Sequence, residues 1–137
     1  MATQVLASSN HAVYRLFLHL VVVTKYRRKV LTAPMIDRCR EILRDTAVRW
    51  GCQVVESEGE ADHVHALLEV APKVRPSDLV NNLKTVTSRR LRSEFPGLQE
   101  AYRRKPVLWS RSYCLVSAGG APLEVLRAYI QNQERPA

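Results

Sequence analysis

The sequence predicts an α+β sandwich, an antiparallel sheet of four to five strands with two packed helices and a further helix at the C-terminal end. Three observations carry this. Strand-like apolar runs and two long segments of helical periodicity follow one another in the order β-α-β-β-α-β(β)-α. The middle two strands lie close enough in sequence to form an antiparallel hairpin. The 137 residues are the length of one domain. Two helices separated by hairpin-type strand pairs form the split β-α-β pattern of a ferredoxin-like sandwich.

Taken in order, residues 1–12 are small and polar and read as a flexible N-terminus, with a single domain over 13–137. Residues 14–24 read as a strand apolar on both faces, as a covered central strand is. It exits into Lys25-Tyr26-Arg27-Arg28-Lys29. Residues 33–50 repeat apolar side chains at three- and four-residue steps, from Met35 and Cys39 to Ala47 and Trp50, and so read as a helix. Thr32 suits its N-cap, Pro34 its first turn and Gly51 its C-terminal stop. A short strand over 52–57, a polar turn at Gly59 and a strand over 63–70 follow.

A second helix reads over 76–95, with Leu79, Val80, Leu83, Val86, Thr87 and Leu91 on one face and Lys84, Arg89, Arg90 and Arg92 on another. Pro96-Gly97 ends it, and 99–106 is a basic connector holding Arg103 and Arg104. Short strands read over 107–109 and 112–117. Gly119-Gly120 breaks the chain, and the last helix runs over 122–133.

Lys plus Arg total 21 and Asp plus Glu 13, a net charge of +8, while hydrophobic residues make up 46%. A chain this apolar folds, so its charge sits on a folded surface and points to an anionic partner, nucleic acid first. Nothing approaches the ~20 apolar residues of a membrane span. The N-terminus lacks the pattern of a secretory signal. Cys39, Cys52 and Cys114 are odd in number and show no CxxC spacing, which argues against a disulfide framework or a zinc knuckle and for free thiols in a reducing cytoplasm.

Three groups could carry chemistry. His63 and His65 are two apart on a strand, so both imidazoles project from one face while Val64, Ala66, Leu68 and Val70 face a core. Paired imidazoles are half of a metal site, or simply polar residues on a half-exposed strand. Tyr129 and Gln133 are four apart and share a face of the last helix. A phenol with a pKa near 10 is a weak nucleophile unless a metal or base assists it, and a core-edge tyrosine is the plain alternative. The third group is basic: Lys25, Arg27 and Arg28 around Tyr26, then Lys84, Arg89 and Arg90, then Arg103 and Arg104. These suit phosphate contacts, with Tyr26, Tyr102 and Trp109 as stacking candidates.

Together these stretches resemble the single-tyrosine HUH transposases of small bacterial insertion sequences and their REP-associated relatives. The resemblance lies in HLVVVTKYRRKVL from His19, DHVHALLEV from Asp62, SDLVNNLKTVTSRRLRSEFP from Ser77, VLWSRSYCLVSAGG from Val107 and EVLRAYIQNQ from Glu124. It implies a bacterial cytoplasmic enzyme that cleaves and rejoins single-stranded DNA. His63, His65 and Gln133 would hold a divalent metal, Mg²⁺ or Mn²⁺. Tyr129 would form a 5′-phosphotyrosine and leave a free 3′-OH. It also implies a DNA hairpin as partner and a homodimer with composite sites. The other reading is a non-catalytic ferredoxin-like nucleic-acid-binding module, with Tyr14, Phe17 or Tyr113 for stacking.

Overall fold

The structure is a computed structural model that describes residues 7–9, 12–118 and 128–132. Its main sheet has four antiparallel strands: β3 (Phe17–Val23), β4 (Gln53–Glu60), β5 (His63–Glu69) and β6 (Cys114–Ser117), in the spatial order β4-β5-β3-β6. Strands β3 and β4 flank β5, and β5 and β6 flank β3. Helix α1 (Ala33–Arg49) links the first of these split pairs, and α2 (Pro76–Glu94) lies on the path through the second. This is the interlocked split β-α-β sandwich that the element order predicts.

The two faces of the sheet differ in kind. On β5, Val64, Ala66 and Leu68 are buried and pack with Leu20 and Val22 of β3 beneath the helices. Burying each Val or Leu contributes about 1.5–3 kcal/mol. Helix α1 presents Met35, Cys39, Ile42, Leu43 and Ala47 to this core, and α2 presents Leu79, Val80, Leu83 and Leu91. Trp50 donates from Nε1 to Asn82 Oδ1 at 3.0 Å and fastens the end of α1 to α2. The caps behave as expected: Thr32 Oγ1 accepts from the Met35 amide, and Gly51 takes a φ of +70° after the helix.

The strand expected over 14–24 is broken. Ala12–Tyr14 (β2) pairs with Ala7–Ser9 (β1) in a separate two-stranded ribbon, so the chain changes partners at Arg15 and Leu16 before β3 begins. Part of the segment expected to be flexible is therefore paired. Gly59 lies inside β4 rather than in a turn, and a Cβ there would sit 2.9 Å from Ile36 Cγ2 of α1. What a larger residue would meet at that place is the Ile36 side chain of α1, which would have to shift, and not a turn. Strand β4 also carries an irregularity between Val54 and Glu56. Pro96 opens a short helix α3 (Pro96–Ala101), because proline fits a first helical turn as readily as it stops a helix. Residues 107–109 give only an isolated bridge, Thr24 to Trp109. At the C-terminal end residues 128–131 are helical; the expected start of that helix and Gln133 lie outside the described residues. No helix among the described residues is long and apolar enough to cross a membrane.

Candidate active site and nucleic-acid interface

The second face of the sheet carries the chemistry-bearing residues. Strand alternation puts His63 and His65 side by side on it. The register sets Val23 opposite His63 and Val21 opposite His65 on β3, and Glu60 and Glu58 opposite them on β4. His63, His65, Val21, Glu58 and Glu60 line an open cleft of ≈ 610 Å³ whose other walls include Arg27, Asp62, Ile130 and Gln131. The cleft therefore lies between the histidine strand and the helical segment that bears Tyr129.

His63 is oriented by its neighbour. Its Nδ1 lies 2.8 Å from Asp62 Oδ1. A carboxylate can only accept, so Nδ1 carries the proton and Nε2 keeps the lone pair in the neutral ring. That Nε2 is 3.9 Å from Glu60 Oε2. Burial pushes the Asp62 carboxyl up, but hydrogen bonds from His63 and Arg27 outweigh it and hold it below the usual carboxylate range. Arg27 Nε donates to Asp62 Oδ2 at 3.2 Å. His65 Nε2 lies 2.8 Å from His19 Nδ1, and the two rings stack with centroids 5.0 Å apart. Burial first, and the neighbouring His19 second, hold His65 below the usual imidazole range.

The donor set suits a borderline divalent cation in type, since it offers two imidazoles, one backed by a carboxylate in the manner of metal-binding histidines. Among the described residues, no group of three or more His, Cys, Asp or Glu side chains is placed to hold a metal ion. Gln133, expected from the sequence as a third ligand, lies outside the described residues.

Tyr129 packs with Ile130 on Val21 and Val23, beside Cys114 and Val116. Its hydroxyl is 2.8 Å from Ser112 Oγ, on the β6 side of the sheet. The same helical segment is reached by Arg27, which donates to the Gln131 carbonyl at 3.3 Å.

The basic clusters converge. Lys84 donates to the carbonyls of Ser110 and Arg111 at 2.8 and 3.0 Å, and both its burial and nearby Lys25 push its pKa down. Arg28 lies over the Tyr102 ring and donates to the Ala101 carbonyl, which seats the connector of Arg103 and Arg104 beside the 25–28 turn. Arg103 and Arg104 are exposed, the latter paired with Glu100 at 3.0 Å. Arg89 is exposed on α2, and Arg90 lies 3.9 Å from Glu94. Tyr26 is 45% exposed, but Tyr102 and Trp109 are only 4% and 7% exposed. The last two are core side chains, not stacking platforms: Trp109 donates to Thr87 Oγ1 at 2.9 Å and Tyr102 to the Lys25 carbonyl at 2.9 Å.

Sequence reasoning did not single out Asp62, His19, Glu58, Glu60 or Ser112. Asp62 could have been found as a carboxylate beside the first histidine. The others need the strand register and the path of the chain after β6.

Residues 12–133 match the family described as "Transposase IS200 like". The chain is 36% identical over 121 residues to the ISDra2 transposase TnpA of Deinococcus radiodurans, covering 88% of this chain and 86% of that one. It is 31% identical over 115 residues to the transposase for insertion sequence element IS200 of Salmonella typhimurium, covering 84% and 74%. A crystal structure of a protein from Deinococcus radiodurans superposes with a TM-score of 0.86 at 35% identity, over 95% of this chain and 99% of that one. A REP-associated tyrosine transposase bound to a REP hairpin shares the fold alone, with a TM-score of 0.54 at 12% identity over 90% and 68%.

Proposed function

The chain belongs to the IS200-like transposase family, and on that premise we propose that it cleaves and rejoins single-stranded DNA with Tyr129 as nucleophile. The Tyr129 phenolic oxygen attacks a backbone phosphorus and loses its proton. The bond from phosphorus to the 3′-oxygen breaks, and that oxygen leaves as a 3′-hydroxyl. One phosphodiester replaces another, so attack by a second 3′-hydroxyl on the 5′-phosphotyrosine rejoins strands with no external energy source. The observation that carries this reading is the cleft itself: His63 and His65 form one wall, and the helical segment bearing Tyr129 contributes Ile130 and Gln131 to another.

His63 and His65, completed by Gln133, would hold Mg²⁺ or Mn²⁺. When bound, the cation would polarise the scissile phosphate and offset charge on the leaving oxygen. Asp62 keeps the His63 ring turned with Nε2 as the donor nitrogen. Ser112 holds the Tyr129 hydroxyl until a phosphate replaces it as partner. Lys25, Tyr26, Arg27 and Arg28, with Lys84, Arg89, Arg90, Arg103 and Arg104, would follow the phosphate backbone of a strand that carries a hairpin. The proposal also includes action as a homodimer in the bacterial cytoplasm, with residues 13–137 as a single catalytic domain.

The test is a covalent adduct. The protein is incubated with hairpin-bearing single-stranded DNA and Mn²⁺ and then denatured in SDS. A protein–DNA adduct is expected, and Tyr129→Phe should abolish it. An adduct that persists in Tyr129→Phe would remove the nucleophile assignment. Tight binding with no adduct on any such strand would favour the binding-module reading.

A further inference from the structure

We propose that Arg27 is a positioning residue that registers the tyrosine-bearing helix against the histidine strand, one guanidinium holding both. The inference rests on the proposed strand cleavage, because it assigns Arg27 a part in bringing that reaction's two halves together.

Two links define the bridge. Arg27 Nε donates to Asp62 Oδ2 at 3.2 Å, and Asp62 Oδ1 holds His63 Nδ1 at 2.8 Å. From the same guanidinium, one terminal nitrogen donates to the Gln131 carbonyl at 3.3 Å. Asp62 is 7% exposed, so its carboxylate needs a fixed cationic partner, and Arg27 supplies it. A lysine carries the same charge but has no planar fork that can serve a carboxylate and a carbonyl in different directions.

The backbone is built to present this side chain. Tyr26 and Arg27 have φ values of +61° and +56°, a conformation that side chains other than glycine rarely adopt. Consecutive residues there persist only where surrounding contacts over-determine them. Those contacts are present. Buried Thr24 donates from its amide to the Asp62 carbonyl at 2.9 Å, the Lys25 amide donates to the Leu108 carbonyl at 2.8 Å, and Tyr102 holds the Lys25 carbonyl. The turn is thus pinned to the residue that precedes the histidines. Two of the five guanidinium N–H groups of Arg27 are thus engaged within the chain.

The test uses the full chain with Arg27→Lys and Arg27→Gln. Amide hydrogen exchange over residues 128–132 is read first, since it needs neither DNA nor metal. Both variants should speed that exchange about tenfold, the worth of one hydrogen bond from a charged donor. Arg27→Lys keeps the charge, so its strand affinity should stay within about threefold of wild type. Its single-turnover adduct rate at saturating DNA should nevertheless fall about ten- to a hundredfold, as expected when a nucleophile is misplaced by an ångström or so. Unchanged exchange in both variants would overturn the bridge. So would a full adduct rate in Arg27→Lys beside an Arg27→Gln that loses rate and affinity together, for Arg27 would then be a phosphate contact alone. A wild-type chain that forms no adduct would refute the proposed cleavage and leave the bridge to be judged by exchange.

Discussion

Replacing Thr24 with valine removes one hydroxyl and changes the shape of the side chain very little. Thr24 is fully buried at the end of β3, and its Oγ1 lies 2.6 Å from the Arg28 carbonyl and 3.2 Å from the Asp62 carbonyl. One hydroxyl has one proton, so the shorter contact takes most of it. The Asp62 carbonyl keeps the Thr24 amide at 2.9 Å in the variant, and the loss therefore falls on Arg28. The Arg28 carbonyl still accepts from the Val30 amide at 3.0 Å, so the cost is that of one hydrogen bond, about 1 kcal/mol. For a chain of this length that lowers the melting temperature by about 3–4 °C. Urea unfolding at pH 7 and a thermal melt would both read it, with the urea slope unchanged if the unfolded states match. A melting shift under about 1 °C would refute the reasoning, because the turn would then be held by something other than Thr24.

Two further outcomes follow from charge. Asp62 titrates lower in the folded chain than in the unfolded one, so its contribution is complete above the ordinary carboxylate pKa of about 4 and drains away as pH falls through the lower folded value. In metal-free buffer Asp62→Asn should cost about 1–3 kcal/mol at pH 7. Urea titrations at stepwise lower pH should show that cost shrinking below about pH 4, and a cost that is flat with pH would contradict it. Strand binding should weaken with salt at a slope near −3 if about four phosphates are held, roughly fiftyfold between 50 and 200 mM. Affinity indifferent to salt would mean that the convergent basic clusters do not carry the contact.

Much of the fold is readable in the sequence, and the reason is local. On β5 the alternation of His63, Val64, His65, Ala66, Leu67 and Leu68 alone separates a core face from a polar one, and the structure keeps that separation. Thr32, Pro34 and Gly51 mark the limits of α1 by their own chemistry. What was not readable depends on partners distant in sequence. Leu16 looks like strand interior until the ribbon of β1 and β2 claims Tyr14. Gly59 looks like a turn until Ile36 arrives above it. His19 looks like an interruption in an apolar run until the register sets it opposite Leu67, diagonal to His65. Tyr102 and Trp109 look like stacking residues because composition cannot show that their polar atoms are already engaged.

The three thiols differ in reach. Burial pushes Cys39 up to about 12, so it stays the unreactive thiol at pH 7. Cys52 is buried too and is also pushed up. Burial pushes Cys114 up as well, but it is only half-buried and shares with Tyr129 and Ile130 the apolar patch over Val21 and Val23. The wild-type chain thus carries its own chemical reporter. Alkylation of Cys114 with a small maleimide, timed against the slow background of the other two, would report on access to that apolar patch without any introduced residue.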